Sequence, residues 1–206
     1  MDKKELRRLL IKKRKSLSTA EWSQKSDSLC SHIESSPLFA SASTILAYFS
    51  FRQEPDLSPL FAEASTTVVS ETKTKTQIAT KSWGFPRCVD KKLVWHYWQP
   101  GDSLISGAFG ILEPDPNAPI VSPAEVDLIL VPAVACDLRG YRLGYGGGFY
   151  DRLLSSPEWV DKRTIGIVFE FARLPELPID PWDRPLQEVC TETGFLGSNV
   201  APRGSQ

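Results

Sequence analysis

The residues best suited to chemistry lie in the ten-residue stretch RLGYGGGFYD, from Arg142 to Asp151. Four glycines within five positions make the backbone costly to order. A folded chain usually keeps such a run where it needs positive φ angles or a close approach of the backbone. The backbone N–H groups can converge on an anion, and a helix that begins behind them adds a favourable dipole. Arg142 and Arg152 add positive charge, and Asp151 adds a carboxylate that could hold a metal.

A second interpretation of this stretch is a tight loop whose aromatic residues pack in the core. The pattern matches neither the spaced glycine fingerprint of dinucleotide-binding folds nor the phosphate loop that ends in Gly-Lys-Ser/Thr. The stretch nevertheless lies just beyond a buried strand and is flanked by arginine and aspartate. This position favours anion binding.

The element that positions the glycine-rich stretch is a predicted strand over Val126 to Val131, which Pro132 ends. Its near-continuous apolar run is typical of a parallel strand covered on both faces. Alternating helices and apolar strands predict an α/β fold, a three-layer sandwich with a mostly parallel central sheet flanked by helices. We expect one domain over residues 1–196 and a frayed tail over 197–206. Further strands are predicted at Thr44–Phe51, Ser82–Pro86, Leu93–Trp98, Thr164–Phe169 and Val189–Phe195.

Two capped helices are predicted before the first strand, and we expect them to pack on a face of the sheet. Asp2 is followed by Glu5, and Ser18 by Glu21, at capping-box spacing. The first helix is strongly basic, and a solvated face is the better interpretation for most of its cations. Nucleic-acid contact, or the reach of one or two cations to a bound phosphate, are the alternatives. The eight cations are Lys3, Lys4, Arg7, Arg8, Lys12, Lys13, Arg14 and Lys15.

Two loops carry further candidate ligand contacts. Glu54 follows the first strand, and open α/β sheets place ligand contacts at the carboxyl ends of strands. A simple loop acid is an equally good interpretation. Phe109 lies in the stretch Pro100–Pro123, which its glycines and prolines predict to be irregular. Its ring could cover a flat ligand or fill the core. A helix is predicted over Asp56–Ala64, and Ser65–Thr80 is the most loop-like segment.

Composition excludes several classes of protein. The 206 residues carry a net charge of −1, so no global field draws the chain to nucleic acid or to anionic membranes. No apolar run approaches a membrane span of roughly 20 residues, and no secretory signal is evident. Four cysteines without a CxxC pair fit a reduced, cytoplasmic compartment better than a disulfide scaffold. A chain of this size is plausible as a monomer.

The motifs together resemble a known family. They are K-x-x-L-R at Lys3, a glutamate after the first strand, F-G-I-x-E-P at Phe109, the stretch P-x-x-A-x-D-x-x-G-x-R-L-G-Y-G-G-G-F-Y-D-R from Pro132, and L-P-x-x-x-x-D near Asp183. In this order they resemble 5-formyltetrahydrofolate cyclo-ligase of the bacterial type, also called methenyltetrahydrofolate synthetase. The resemblance implies an ATP- and Mg²⁺-dependent ring closure that converts 5-formyltetrahydrofolate to 5,10-methenyltetrahydrofolate through a phosphorylated formyl intermediate, with release of ADP and phosphate.

The resemblance also implies roles for individual residues. It implies Arg142 and Asp151 as catalytic residues, and Asp151 and Asp183 as metal ligands. For ATP it implies Lys3, Arg7, Arg142, Leu143, Gly144, Tyr145, Gly146, Gly147, Gly148, Phe149 and Tyr150. For the folate substrate it implies Phe49, Glu54, Phe109, Tyr145 and Phe149.

The sequence is also compatible with two functions other than that of an enzyme. A non-catalytic folate- or nucleotide-binding module of the same fold ranks second, since the intact glycine run and Asp151 favour catalysis. A nucleic-acid-binding protein rests on the basic first helix alone and conflicts with the near-neutral net charge. We therefore expect small-molecule substrates and neither a nucleic-acid nor a membrane partner.

Overall fold

The structure is a computed structural model that describes residues 1–62 and 81–196. The helices are α1 (Lys3–Lys15), α2 (Thr19–Glu34), α3 (Pro37–Ser41), α4 (Ser58–Ala62) and α5 (Phe149–Ser155). The strands are β1 (Thr44–Leu46), β2 (Ser82–Val89), β3 (Lys92–Tyr97), β4 (Leu104–Ser106), β5 (Leu112–Pro114), β6 (Leu128–Pro132), β7 (Ala135–Asp137), β8 (Arg142–Leu143), β9 (Arg163–Ile167), β10 (Arg173–Leu174), β11 (Glu188–Thr191) and β12 (Gly194–Leu196).

The central sheet has seven strands in the order β12-β11-β9-β6-β1-β2-β3. The five inner strands pair in parallel, and the two edge strands, β12 and β3, pair antiparallel to their neighbours. The predicted α/β fold with a mostly parallel sheet is thus confirmed. The carboxyl ends of the parallel strands meet at one edge, which is where such sheets bind ligands.

Helices cover both faces of this sheet, and β6 shows how one strand serves both cores. Successive side chains of a strand point to opposite faces. Leu128 and Leu130 belong to a buried cluster with residues of α2, α3 and α4. Ile129 and Val131 belong to the other cluster, with residues of α1 and α5. The three predicted layers are present, but the two N-terminal helices pack on opposite faces of the sheet.

Both N-terminal caps form as the sequence predicts. Asp2 accepts a hydrogen bond from the backbone N–H of Glu5 at 2.7 Å. Ser18 and Glu21 form a reciprocal capping box. These caps satisfy backbone donors that a helix leaves unpaired at its first turn.

Several element boundaries differ from the predictions. The first strand ends at Leu46 and not at Phe51. The chain turns later, at Arg52 and Gln53, which have φ angles of 51° and 56°. The prediction that Pro100–Pro123 is irregular was wrong in part, since β4 and β5 pair there as a separate two-stranded sheet. The single predicted last strand is the hairpin of β11 and β12, which turns at Gly194 with a φ angle of 117°.

Two predictions fall outside the described residues. They are the loop-like segment Ser65–Thr80 and the tail over 197–206. The helix predicted to reach Ala64 is described as far as Ala62. Within the described part of the chain, no helix has both the length and the apolar character to cross a membrane.

Candidate active site

Every residue proposed for the site from the sequence lines one cavity of about 550 Å³ at the carboxyl edge of the sheet. Its walls come from α1, the loop after β1, the strand β2, the loop before β5, the β8–α5 loop and residues 180–183. The predicted residues that it brings together are Lys3, Arg7, Phe49, Glu54, Phe109, Arg142, Leu143, Gly144, Tyr145, Gly146, Gly147, Gly148, Phe149, Tyr150, Asp151 and Asp183.

The glycine-rich loop is held in place by a small three-stranded sheet, β10-β7-β8. The turn between β7 and β8 is built around Asp137, whose side chain is 2% exposed. Its carboxylate accepts hydrogen bonds from the backbone N–H groups of Arg139, Tyr141 and Leu177 at 2.9 to 3.0 Å. The Arg139 guanidinium pairs with it at 2.7 Å. A buried, fully bonded carboxylate therefore anchors the base of the loop.

Two glycines of the loop adopt conformations that other residues rarely adopt. Gly146 has a φ angle of 100° and Gly148 one of 67°. A Cβ atom on Gly148 would lie 2.7 Å from Nη1 of Arg152. Gly148 is also the N-cap of the seven-residue helix α5. The sequence expectation of positive φ angles in this run is met at these two positions.

Cations surround the loop. Arg7 on α1 donates from Nε to the carbonyl oxygen of Gly144 at 2.7 Å. Arg142 is 8% exposed and donates from Nη2 to Oδ1 of Asp151 at 2.5 Å. Arg152 donates to the carbonyl oxygen of Gly147 at 2.9 Å. Three guanidinium groups thus border a loop rich in backbone N–H groups, an arrangement suited to a polyanion.

Lys3 links helix α1 to the loop before β11. Its Nζ lies 2.6 Å from Oδ2 of Asp180 and 2.7 Å from Oδ2 of Asp183. Burial alone would lower the pKa of Lys3, but the hydrogen bonds to these two carboxylates leave it raised. Asp180 was not singled out from the sequence.

The predicted metal ligands, Asp151 and Asp183, both carry cation partners, Arg142 and Lys3. Within residues 1–62 and 81–196, no group of three or more His, Cys, Asp or Glu side chains could hold a metal ion. Mg²⁺ usually keeps several waters and binds one or two carboxylates plus substrate phosphates. The donor set therefore fits a metal that arrives with a nucleotide, and it does not fit a preformed protein cage. Asp151 is the more accessible of the two donors, because its side chain is 33% exposed, whereas that of Asp183 is 11% exposed.

Glu54 lies on the wall of the same cavity and is 4% exposed. Its Oε2 accepts a hydrogen bond from the backbone N–H of Phe51 at 3.1 Å. Its Oε1 is buried and has no hydrogen-bond partner among the described residues. Burial raises the pKa of Glu54 to about 7, although Arg14, the Tyr145 hydroxyl and the Phe51 N–H favour the ionised form.

Arg14 is an exception among the cations of the first helix. The sequence predicts a solvated face for most of the eight, and five of them are exposed, but Arg14 is 4% exposed. Its Nη1 lies 3.9 Å from Oε1 of Glu54. A signal was available, because Arg14 follows Arg7 by seven residues and so returns to the same helix face after two turns. The distribution of charge does not indicate which face is buried, because basic residues lie on all sides of the helix.

Aromatic residues form much of the wall near Glu54. Phe49 stacks on Phe85 with ring centroids 4.2 Å apart. Phe109 is 70% exposed and contacts Phe149 edge to face at 6.3 Å. Of the two interpretations of Phe109, the exposed ring excludes a core role. The buried Tyr150 hydroxyl has no hydrogen-bond partner among the described residues, and burial raises its pKa.

Other residues of the cavity wall were missed from the sequence. Cys88 and Glu113 face the cavity next to each other, with the backbone N–H of Cys88 donating to Oε1 of Glu113 at 3.0 Å. Burial, and then the nearby Glu113 charge, raise the pKa of the Cys88 thiol. Cys88 lies on β2 and Glu113 on β5. Strand pairing decides which of their side chains face the cavity, and residue type alone does not indicate it.

Comparison with known proteins gives a family. The model of the 5-formyltetrahydrofolate cyclo-ligase family matches residues 1–192. Two proteins named 5-formyltetrahydrofolate cyclo-ligase are similar over 100 residues. One, from Haemophilus influenzae, is 38% identical over 47% of this chain and 52% of its own length. The other, from Mycolicibacterium smegmatis, is 40% identical over 48% of this chain and 50% of its own length. The chain thus spans about half the length of these curated relatives.

A solved structure extends the likeness to the whole fold. The 5,10-methenyltetrahydrofolate synthetase of Aquifex aeolicus superposes with a TM-score of 0.80 at 33% sequence identity. The superposition covers 100% of this chain and 97% of that protein. Together with the family match over residues 1–192, these findings show that the chain belongs to the 5-formyltetrahydrofolate cyclo-ligase family.

Proposed function

We propose that this protein catalyses the ATP- and Mg²⁺-dependent cyclisation of 5-formyltetrahydrofolate to 5,10-methenyltetrahydrofolate. One observation carries the proposal. A single cavity combines a glycine-rich loop bordered by arginines with an aromatic end that holds a buried, incompletely bonded carboxylate. The first end suits a triphosphate, and the second suits a flat heterocycle with N–H donors.

The proposed reaction has two steps. The formyl oxygen of the folate attacks the γ-phosphorus of ATP, the bond to the β-phosphate oxygen breaks, and ADP leaves. The oxygen is then a good leaving group. N10 of the folate attacks the activated carbon and loses its proton, the C–O bond breaks, and inorganic phosphate departs with that proton as the new ring closes.

The phosphoryl-transfer step depends mainly on positioning and charge neutralisation. We assign the triphosphate to the backbone of Gly144–Gly148, with Lys3, Arg7 and Arg142 as its cations. Arg142 is already oriented by Asp151 at 2.5 Å, so its guanidinium loses little freedom when it meets phosphate. Leu143, Tyr145, Phe149 and Tyr150 complete the wall on this side.

The folate is assigned to the end of the cavity that contains Glu54. The Oε1 atom of Glu54 has no hydrogen-bond partner among the described residues and can accept hydrogen bonds from the donor edge of a pterin. Phe49, Tyr145 and Phe149 flank the ring, and the exposed Phe109 covers it.

Mg²⁺, when bound with the nucleotide, neutralises phosphate charge and orients the γ-phosphate. Asp151 would hold it, with Asp183 as the second carboxylate. Asp183 becomes available when Lys3 turns from the carboxylates toward phosphate. We further propose that the protein acts in the cytoplasm as a monomer on small molecules, and its four free cysteines support a reducing compartment.

The test follows the absorbance of methenyltetrahydrofolate in the presence of 5-formyltetrahydrofolate, ATP and Mg²⁺. We expect turnover that requires all three and stops when a chelator removes the metal. Asp151→Asn should abolish turnover and leave the unfolding transition in place. Asp161→Asn removes an exposed carboxylate away from the cavity and serves as the matched control.

Two outcomes would contradict the proposal. A folded wild-type protein that binds the folate by calorimetry without turnover would identify a binding module. Persistent turnover in Asp151→Asn would remove this residue from the metal site.

A further inference from the structure

Arg14 is unusual among the cations of α1. It is 4% exposed, whereas Arg8, Lys12, Lys13 and Lys15 on the same helix are exposed. Burying a guanidinium is unfavourable unless its charge and its N–H groups are satisfied. The fold therefore bonds this side chain on several sides.

Three separate partners surround the Arg14 guanidinium. Its Nε donates to the carbonyl oxygen of Arg52 at 3.0 Å. Its Nη2 donates to the hydroxyl of Tyr145, in the glycine-rich loop. Its Nη1 faces Oε1 of Glu54 at 3.9 Å. One side chain of α1 thus connects the loop after β1 with the loop after β8.

The contact with the Arg52 carbonyl acts on a strained piece of backbone. Arg52 and Gln53 are consecutive non-glycine residues with positive φ angles, a conformation that persists only where the surroundings hold it. Glu54 follows directly and is oriented by this turn. Arg14 therefore acts on Glu54 in two ways: its hydrogen bond holds the turn that orients Glu54, and its charge lies beside the Glu54 carboxylate.

We propose that Arg14 is a positioning residue of this active site, which holds Glu54 ionised and aimed at the folate ring and fixes the Tyr145 ring beside it. This inference rests on the proposed function. Arg14 does not line the cavity, so it acts through Glu54 and Tyr145 and does not contact the substrate itself.

The proposal predicts a change in pH dependence. The titratable and charged groups around Glu54 are Arg14, Arg52, Tyr48, Tyr145 and Tyr150. Arg14 is the strongest influence that favours the carboxylate over the acid. Its removal should therefore raise the pKa of Glu54 above about 7, so that the acid form persists to higher pH.

The experiment compares Arg14→Met, Arg14→Lys and the control Arg8→Met, which removes an exposed arginine from the same helix. The measured quantity is kcat/KM for 5-formyltetrahydrofolate between pH 6 and 9, at saturating ATP. For Arg14→Met we expect the acid side of the pH profile to move up by about one pH unit or more. At pH 7 this gives about a fivefold or greater loss of kcat/KM, which diminishes toward pH 9. Arg14→Lys keeps the positive charge, so the acid side of its pH profile should lie close to that of the wild type.

Thermal unfolding of each variant separates folding from positioning. A folded Arg14→Met protein with the wild-type pH profile and kcat/KM would overturn the inference and leave the proposed function intact. If Arg14→Met does not fold, Arg14→Lys decides. Arg14→Lys keeps the positive charge. If its kcat/KM profile nevertheless shifts to higher pH by as much as loss of the charge predicts, an electrostatic role is contradicted. Wild-type protein without turnover would overturn the proposed function and this inference with it.

Discussion

Replacement of Glu54 by glutamine should make the protein more stable and less active. Glu54 is 4% exposed and its Oε1 has no hydrogen-bond partner among the described residues. Glutamine keeps the shape and still accepts from the Phe51 N–H, but it carries no charge that burial can penalise. The same carboxylate is the proposed acceptor for the pterin, so its loss should weaken substrate binding.

The magnitude follows from the pKa of Glu54, which burial raises from 4.5 to about 7. Because the folded state binds the proton more tightly than the unfolded state, the contribution of this group to stability is full below pH 4.5. It is lost as pH rises through about 7. This rise in the pKa of Glu54 corresponds to about 3 kcal/mol in the free energy of unfolding. Glu54→Gln should therefore stabilise the fold by about 3 kcal/mol at pH 8 and by about 1 kcal/mol or less at pH 5.

Urea unfolding at pH 5 and pH 8 measures this difference, and Glu158→Gln, at an exposed glutamate, is the matched control. At about 2–4 °C per kcal/mol for a chain of this size, the pH 8 effect corresponds to about 6–12 °C in Tm. A stabilisation that is the same at both pH values would refute the electrostatic reasoning. Full activity in the folded variant would refute the role of Glu54 in substrate binding.

Two further changes test the glycine-rich loop and its anchor. Gly146→Ala and Gly101→Ala both force alanine to a φ angle near 100°, so both should lose roughly 1–3 kcal/mol of stability. Only Gly146→Ala should also raise the KM for ATP, since Gly101 lies outside the cavity; equal effects of the two on that KM would contradict a phosphate role for the loop. Asp137→Asn places an amide N–H₂ against the donors that Asp137 satisfies, and should cost about 3–5 kcal/mol in urea unfolding. Asp161→Asn should be neutral, and a loss below about 1 kcal/mol for Asp137→Asn would show that the turn does not depend on this carboxylate.

The sequence predicted the parts of the fold that local signals determine. Both capping motifs and the buried run of β6 lie where the sequence predicts them. The β4–β5 pair was missed, because pairing of two short strands depends on partners that residue type does not reveal. The turn after β1 was also missed, because Arg52 and Gln53 have positive φ angles that their residue types do not favour.

The residues that resemblance and the glycine-rich stretch propose for the site all line one cavity, and their roles stay predictions. Individual motifs could not show that Lys3, Glu54 and Asp151 face one cavity, because they lie far apart in the chain. The topology supplies this, since β1 and β6 are adjacent and end at the same edge. The burial of Arg14 was missed for a related reason. Its spacing from Arg7 places the two arginines on one helix face, but whether that face is buried depends on what packs opposite it, and the helix sequence does not show this.

The unfavourable features of this structure are concentrated at the cavity, which supports its assignment as the active site. Of the four non-glycine residues with positive φ among the described ones, Arg52, Gln53 and Phe109 lie in loops that form its wall. In the described part of the chain, four buried side-chain N or O atoms have no hydrogen-bond partner, and two of them, on Glu54 and Tyr150, also lie on this wall. Strain and unpaired polar atoms persist where function requires them. A bound heterocycle would supply the missing hydrogen-bond partners. Ligand binding should therefore raise the free energy of unfolding by more than the buried contact area alone predicts.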